Sequence, residues 1–400
     1  MYVHNLNLVP NLQSWPLFAK GNMQYYLVGS IDVDRYIVVD EERYPIVMQI
    51  LTFLHNGISL QEIESKLQTE RKVQPNVEQF VELLIRAGLA YVGEEEITEP
   101  SYSHFINLSK TVISLPLDFF KSKLQYWGRF FEYTFGVTLI ISIIVLITLT
   151  FSDTETAKSM WQKSFRSRGM MNYPFLLLSY ASIWLFALPL HEISHALVAS
   201  RAGIFPRRLT LRLYLFVMPF LSIQIPGLYT LPLRRRLLTL AAGPFMNLLL
   251  GNVAWILSWK MHLGSDWQSF MLAFAMVNYM IFLFNWSPFL PTDGYQIISQ
   301  LLFKDLDIRS HAWASLRYWW RTRQKYPTFS QFLFVCIDFI FIAILVGGIL
   351  YLIDKTIYKW LETLRFLTPT LSVVIMLVFD IVFALFIVYR LMMLMGIRKS

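Results

Sequence analysis

Leu190-His191-Glu192-Ile193-Ser194-His195-Ala196 lies near the end of an apolar stretch spanning residues 174–198. About 20 consecutive apolar residues are enough for a helix to cross the hydrocarbon core of a bilayer, so this segment is expected inside a membrane span. Ionisable and metal-binding side chains are costly there, which makes them functional candidates. On a helix His191 and His195 stand one turn apart on one face. Two imidazoles so placed can hold the same Zn2+, and Glu192 beside them can take a proton from water activated at the metal.

Outward from this segment, the same length rule gives five more spans, at about residues 133–151, 237–259, 270–289, 332–352 and 371–395. The expected fold is mainly α, a polytopic membrane protein with about six transmembrane helices. Composition agrees, because 55% of the residues are hydrophobic and only 16% charged, a balance rare in soluble domains. Residues 213–225 are apolar but too short to cross, and Pro219 interrupts them, so they are expected to form a membrane-inserted hairpin or re-entrant segment. Lys and Arg concentrate in the connections after the second and fourth spans. Basic residues mark the cytoplasmic side, which places a multi-pass chain in the cell membrane with both termini in the cytoplasm. The first 26 residues hold no apolar run of signal-peptide type, so they are expected to stay uncleaved. One cysteine, Cys336, excludes an internal disulfide framework and a Cys-rich metal cluster.

Zinc in a catalytic site takes three protein ligands and leaves one position open. His262 and His311 are poorly placed for the third. Asp293 is better, in Asn285-Trp286-Ser287-Pro288-Phe289-Leu290-Pro291-Thr292-Asp293-Gly294. Two prolines there break the fourth helix, and Gly294 permits a tight turn that aims the carboxylate inward. The alternative for this segment alone is an ordinary Asp-Gly turn at a membrane surface. Depth favours the ligand: residues 174–191 cover about 26 Å of helix and residues 270–288 about 27 Å in the same direction, so both motifs arrive near the cytoplasmic side. Asp338 and Asp380, in the fifth and sixth spans, either mark a proton or peptide path or pair with a neighbour.

His191-Glu192-x-x-His195-Ala196, then Ala242-Gly243-Pro244-Phe245-Met246-Asn247, then Asn285 through Pro291 to Asp293-Gly294, together resemble the site-2 protease family of intramembrane zinc metalloproteases. The resemblance covers about residues 172–300. It implies that His191, His195 and Asp293 bind zinc, that Glu192 activates water, and that Asn247 contacts the substrate backbone. Read without it, Ala241, Ala242 and Gly243 are small residues for close helix packing and Asn247 makes an interhelical hydrogen bond. Thr292 and Tyr295 depart from the family pattern. The family also tends to carry a membrane-associated β-hairpin after the catalytic helix, where residues 213–225 stand, offering an edge to an extended substrate.

Residues 1–100 read as a separate cytoplasmic domain, followed by a linker and juxtamembrane segment at 101–132 and the transmembrane zinc protease domain at 133–400. Strands are expected at 25–30, 36–39 and 89–92, with helices at 42–54, 60–67 and 77–87. The second helix starts at a Ser59/Glu62 capping box, and the third is capped by Asn76 and stopped by Gly88. Residues 100–117 read as linker. This order is that of a small winged helix, but the domain holds seven basic and fourteen acidic residues, which argues against nucleic acid as a partner. Its pattern over residues 20–92 resembles the peptide chaperone of pyrroloquinoline quinone synthesis and the leader-binding domains of ribosomal-peptide maturation enzymes, which implies a peptide bound as an added strand. The expected function is zinc-dependent cleavage of a small peptide precursor or membrane-anchored peptide. The rivals are regulated cleavage of a membrane-anchored signalling protein such as an anti-sigma factor, and a non-enzymatic peptide exporter or immunity protein.

Overall fold

Among the described residues four helices are long and apolar enough to cross a membrane, Lys123–Val145, Ile183–Arg201, Leu233–Trp259 and Asp266–Asn285. The computed structural model describes residues 6–71, 76–93, 109–117, 121–151, 181–214, 218–261, 266–286, 292–324 and 326–341, with Phe175, Leu178 and Ile344. The four helices fall at the first four of the six expected spans. Only the start of the fifth expected span is described, as the apolar helix Phe329–Phe341. The sixth, with Asp380, lies outside the described residues.

The chain forms two units, Met1–Ile297 and Ile298–Ser400. The first begins with β1 (Leu6–Leu8), β2 (Gln13–Lys20), β3 (Met23–Ser30) and β4 (Arg35–Asp40), then α1 (Tyr44–His55), α2 (Leu60–Arg71), α3 (Val77–Ala87) and β5 (Ala90–Val92). β2, β3 and β4 form an antiparallel sheet in that order, and β1 pairs with β5. The helix ends follow local chemistry. Asn76 accepts from the Gln79 amide at 2.8 Å, and Gly88 closes α3 in the left-handed region at φ 69°, where only glycine avoids a Cβ penalty. Val28, Val39, Val47, Leu51, Leu84 and Leu89 make one core, and Ile50, Ile63, Leu67, Val77 and Val81 a second beneath the helices. Burying a side chain of this size contributes about 1.5–3 kcal/mol. β1 and β2 went unread in the sequence because Asn, Gln and Pro interrupt their alternation.

After the amino-terminal elements come β6 (Ser109–Pro116) and α4 (Lys121–Phe151), then a π-helical turn Ile183–Ala187 leading into α5 (Leu188–Arg201). β7 (Arg208–Tyr214), β8 (Met218–Gln224), α6 (Leu233–Lys260), α7 (Asp266–Asn285) and α8 (Asp293–Leu302) follow. β6, β7 and β8 form an antiparallel sheet in that order. This corrects two expectations. Residues 109–116 are a strand and not linker, and the hairpin begins at Arg208, five residues before the apolar stretch. β6 gave no sequence signal because Val112, Ile113 and Leu115 are all about half exposed, so it lacks the buried face that creates alternation.

These four apolar helices meet at small and polar residues, which are enriched where helices associate in lipid. A Cβ on Gly128 of α4 would lie 2.4 Å from the Leu197 carbonyl of α5, and one on Gly251 of α6 would lie 2.7 Å from the Tyr279 ring of α7. Tyr279 donates its hydroxyl to Asn252 at 2.7 Å, and Asn252 donates to the Ser142 carbonyl at 3.0 Å, tying α7, α6 and α4 together.

In the second unit α9 (Ile308–Thr322) packs on α10 (Phe329–Phe341). The fully buried Asp338 accepts from Arg309 Nη2 at 2.5 Å, Arg309 Nε at 3.1 Å and Trp313 Nε1 at 3.1 Å. Of the two readings of Asp338, pairing with a neighbour is the one observed.

Candidate active site

α5 carries His191 and His195 on one face, each 6% exposed. Pro189 stands inside the continuous helix Ile183–Arg201, just after its π-helical turn Ile183–Ala187, a feature frequent beside functional sites. His195 Nδ1 lies 2.7 Å from the Thr239 carbonyl of α6. A carbonyl can only accept, so Nδ1 carries a proton, and in the neutral imidazole Nε2 then bears the lone pair.

The tautomer of His191 is fixed by a longer chain. Asn278 Nδ2 donates to the Phe274 carbonyl at 2.9 Å, which leaves Asn278 Oδ1 to accept from Asn247 Nδ2 at 3.0 Å. Asn247 Oδ1 then faces His191 Nδ1 at 2.5 Å and accepts its proton, so His191 Nε2 also bears a lone pair. Asn247 is fully buried. Its side chain bonds to His191 of α5 and Asn278 of α7, an interhelical link.

Asp293 opens α8, where the helix dipole favours a carboxylate. Thr292 donates its hydroxyl to the Asn285 carbonyl at 2.9 Å, closing the segment between α7 and α8. Gly294 has no left-handed backbone. It is needed because a Cβ there would lie 2.1 Å from the Asn285 carbonyl and 2.6 Å from Trp286 Cα. The expected tight turn is thus replaced by a close approach of α8 to the end of α7.

These elements bring the three expected ligand residues together. Asp293 Oδ2 is 3.2 Å from His191 Nε2 and 3.4 Å from His195 Nε2, and the two nitrogens are 3.3 Å apart. Three lone-pair atoms in a triangle repel one another unless a cation sits among them. Tetrahedral zinc with bonds of roughly 2.0–2.1 Å has ligand–ligand edges of about 3.3 Å, which matches all three separations. Gly243 of α6 supplies the room: a Cβ on it would lie 2.3 Å from His195 Nε2 and 2.5 Å from His191 Nε2. The glycine read as helix packing therefore also keeps the space beside the ligand nitrogens open. Among the described residues this is the group of three His, Cys, Asp or Glu side chains able to hold a metal ion. His311 faces Asp305 at 2.8 Å, and His262 lies outside the described residues.

Glu192, next in sequence to His191, turns toward the hairpin and accepts from the Ile223 amide at 2.7 Å. β8 pairs with β7 on its other side, so the Ile223 N–H points outward from the sheet. By period two Leu221 shares that direction, and Pro219, which has no N–H to offer, occupies the outward position before it. Sequence reasoning placed a hairpin here but missed the amide, because a backbone donor leaves no residue signature. Thr239 was missed for the same reason. Asn278, a lone amide in an apolar helix, was a signal that could have been followed.

The fold and the site define a mainly helical protein with four described helices long and apolar enough to cross a membrane and a His2Asp group able to hold a metal ion. "Putative zinc metalloprotease YwhC" of Bacillus subtilis (strain 168) is 30% identical over 158 residues, covering 32% of this chain and 72% of that protein. The chain belongs to the site-2 protease-like family. No family model matches it and no solved structure matches it.

Proposed function

We propose that this protein is an intramembrane zinc metalloendopeptidase that cleaves a small peptide precursor or membrane-anchored peptide near the cytoplasmic side of the membrane, with both termini cytoplasmic. The observation that carries the reading is the convergence of the ligand triangle, an adjacent carboxylate and an outward strand edge. Zinc, when bound, supplies Lewis acidity that polarises the scissile carbonyl and makes water acidic enough to attack at neutral pH. His191, His195 and Asp293 are its ligands. Asn247 and the Thr239 carbonyl hold the two imidazoles in the tautomer that ligation requires. Glu192 takes the proton of the attacking water and delivers it to the leaving amine. A helical peptide hides its carbonyls in its own hydrogen bonds, so it must be unwound before it is cut. The outward edge of β8 at Leu221 offers main-chain pairing that holds the unwound segment extended beside Glu192.

The amino-terminal domain recruits the precursor. β4 has β3 on one side and no strand on the other among the described residues, and the half-exposed Val38 and Leu83 stand on β4 and α3. An extended leader segment added to β4 would meet both. Comparing the peptides of cells expressing the wild type and Glu192→Gln tests the activity whatever the identity of the substrate. The variant should keep its zinc while one uncut precursor accumulates and its trimmed product disappears. Identical peptide profiles would refute the protease reading.

A further inference from the structure

The amino-terminal domain touches the membrane unit at a telling place. In the turn between β3 and β4, Asp34 Oδ1 accepts from the Gly227 amide at 3.0 Å, and the Asp32 carbonyl accepts from Arg207 Nη1 at 2.8 Å. The turn is braced internally, because Asn11 Nδ2 donates to Asp32 Oδ2 at 2.7 Å and the Asp34 amide to the Ile31 carbonyl at 3.2 Å. Gly227 has φ 83° and faces Ile31, whose Cγ2 lies 3.2 Å from where a Cβ would stand. The contact is therefore fitted to a glycine.

Both gripped residues belong to the open end of the β7–β8 hairpin. Arg207 immediately precedes β7, and its amide donates to the carbonyl of Gln224, the last residue of β8, at 2.9 Å. Gly227 follows Gln224 by three residues. Ile223, the donor to Glu192, is the neighbour of Gln224. A third contact comes from the fully buried Arg236 of α6, which donates to the Tyr229 carbonyl at 2.8 Å and reaches the Leu17 carbonyl of β2 at 3.5 Å. The run Arg234-Arg235-Arg236, read from sequence as a topology signal, thus supplies a buried strut. The acidic domain meets the arginine-rich side of the membrane unit.

We propose that Asp34 and Arg207 are positioning residues for the catalytic base: the β3–β4 turn clamps the open end of the hairpin and so holds the Ile223 amide on Glu192. This rests on reading Glu192 as the base. It gives the amino-terminal domain a second task besides recruitment, since a domain that only tethered a substrate would have no need to grip both flanks of one hairpin.

The test uses the full chain in detergent with three forms, wild type, Asp34→Gly and Asp34→Asn. Glycine removes the acceptor and suits the positive φ of 52° at this position, whereas asparagine keeps an acceptor oxygen and tolerates that φ. Hydrogen exchange across residues 218–224 should speed up at least tenfold in Asp34→Gly and stay near wild type in Asp34→Asn. With a short peptide spanning the cut and no leader, kcat should fall on the order of tenfold in the glycine variant with KM little changed, because a small displacement beside the reacting groups is enough for that loss. Zinc content should be equal in all three. Unchanged exchange in Asp34→Gly, or equal loss in both variants, overturns the clamp. Changed exchange with no cleavage by the wild type would uphold the clamp and refute the protease reading.

Discussion

Replacing Gly243 by alanine tests whether the space beside the two histidines is a metal site. The added methyl would stand 2.3 Å from His195 Nε2, 2.5 Å from His191 Nε2 and 2.7 Å from His191 Cδ2. Ordinary carbon contact is about 3.5 Å, so the rings must retreat by about 1 Å. Each ring is held from behind, His195 by the Thr239 carbonyl and His191 by Asn247. Disrupting those two bonds costs about 0.5–1.5 kcal/mol each, and forcing the rings off rotamer costs a similar amount. A loss near 3 kcal/mol weakens zinc binding roughly a hundredfold, before the methyl's own claim on the space is counted. The assay is zinc per chain after dialysis against a chelator of known affinity, with thermal unfolding followed alongside. Gly251→Ala is the control. Its methyl meets the Tyr279 ring at 2.7 Å, so it should lower stability and keep zinc. A Gly243→Ala protein that binds one zinc with wild-type affinity would refute the assignment.

Asp293→Ala removes one of three ligands and should leave the purified protein without stoichiometric zinc, as elemental analysis will show. Asn247→Ala takes the acceptor from His191 Nδ1, and zinc affinity measured by competition should drop roughly 10- to 100-fold, as loss of a ligand's hydrogen-bond partner typically does. Arg309→Ala leaves the fully buried Asp338 without its cation, and denaturant unfolding should report a loss of about 3 kcal/mol, with zinc content untouched. Removing residues 1–100 should raise KM for a full-length precursor by loss of recruitment. It should also lower kcat for a short peptide, by release of the clamp.

Much of the candidate site was legible because it is local. His191, Glu192 and His195 lie within five residues, and the helical repeat alone sets the two imidazoles on one face. The first four spans were legible because a bilayer demands length and apolarity, which a sequence displays openly. The helix caps at Asn76 and Gly88 were legible because one residue's chemistry decides them. Strands β1, β2 and β6 were not, since their support is main-chain pairing with partners elsewhere in the chain, and their side chains keep no regular buried face.

The sequence by itself determined that this chain holds helices long and apolar enough to cross a membrane and carries a helical His-Glu-x-x-His, because hydrophobic length and a four-residue spacing are properties of a single segment. Only the tertiary structure decided the rest of the site. It set Asp293 within 3.2 and 3.4 Å of the two histidines, turned Asn247 onto His191, gave Gly243 the task of leaving room, and placed the Ile223 amide on Glu192. It also put the acidic domain against Arg207 and Gly227. Each of these depends on a distance between residues 31 to 193 positions apart, and several are made by backbone groups that every residue possesses. A pattern of side chains cannot announce such contacts; the packing of helices and the register of a hairpin create them.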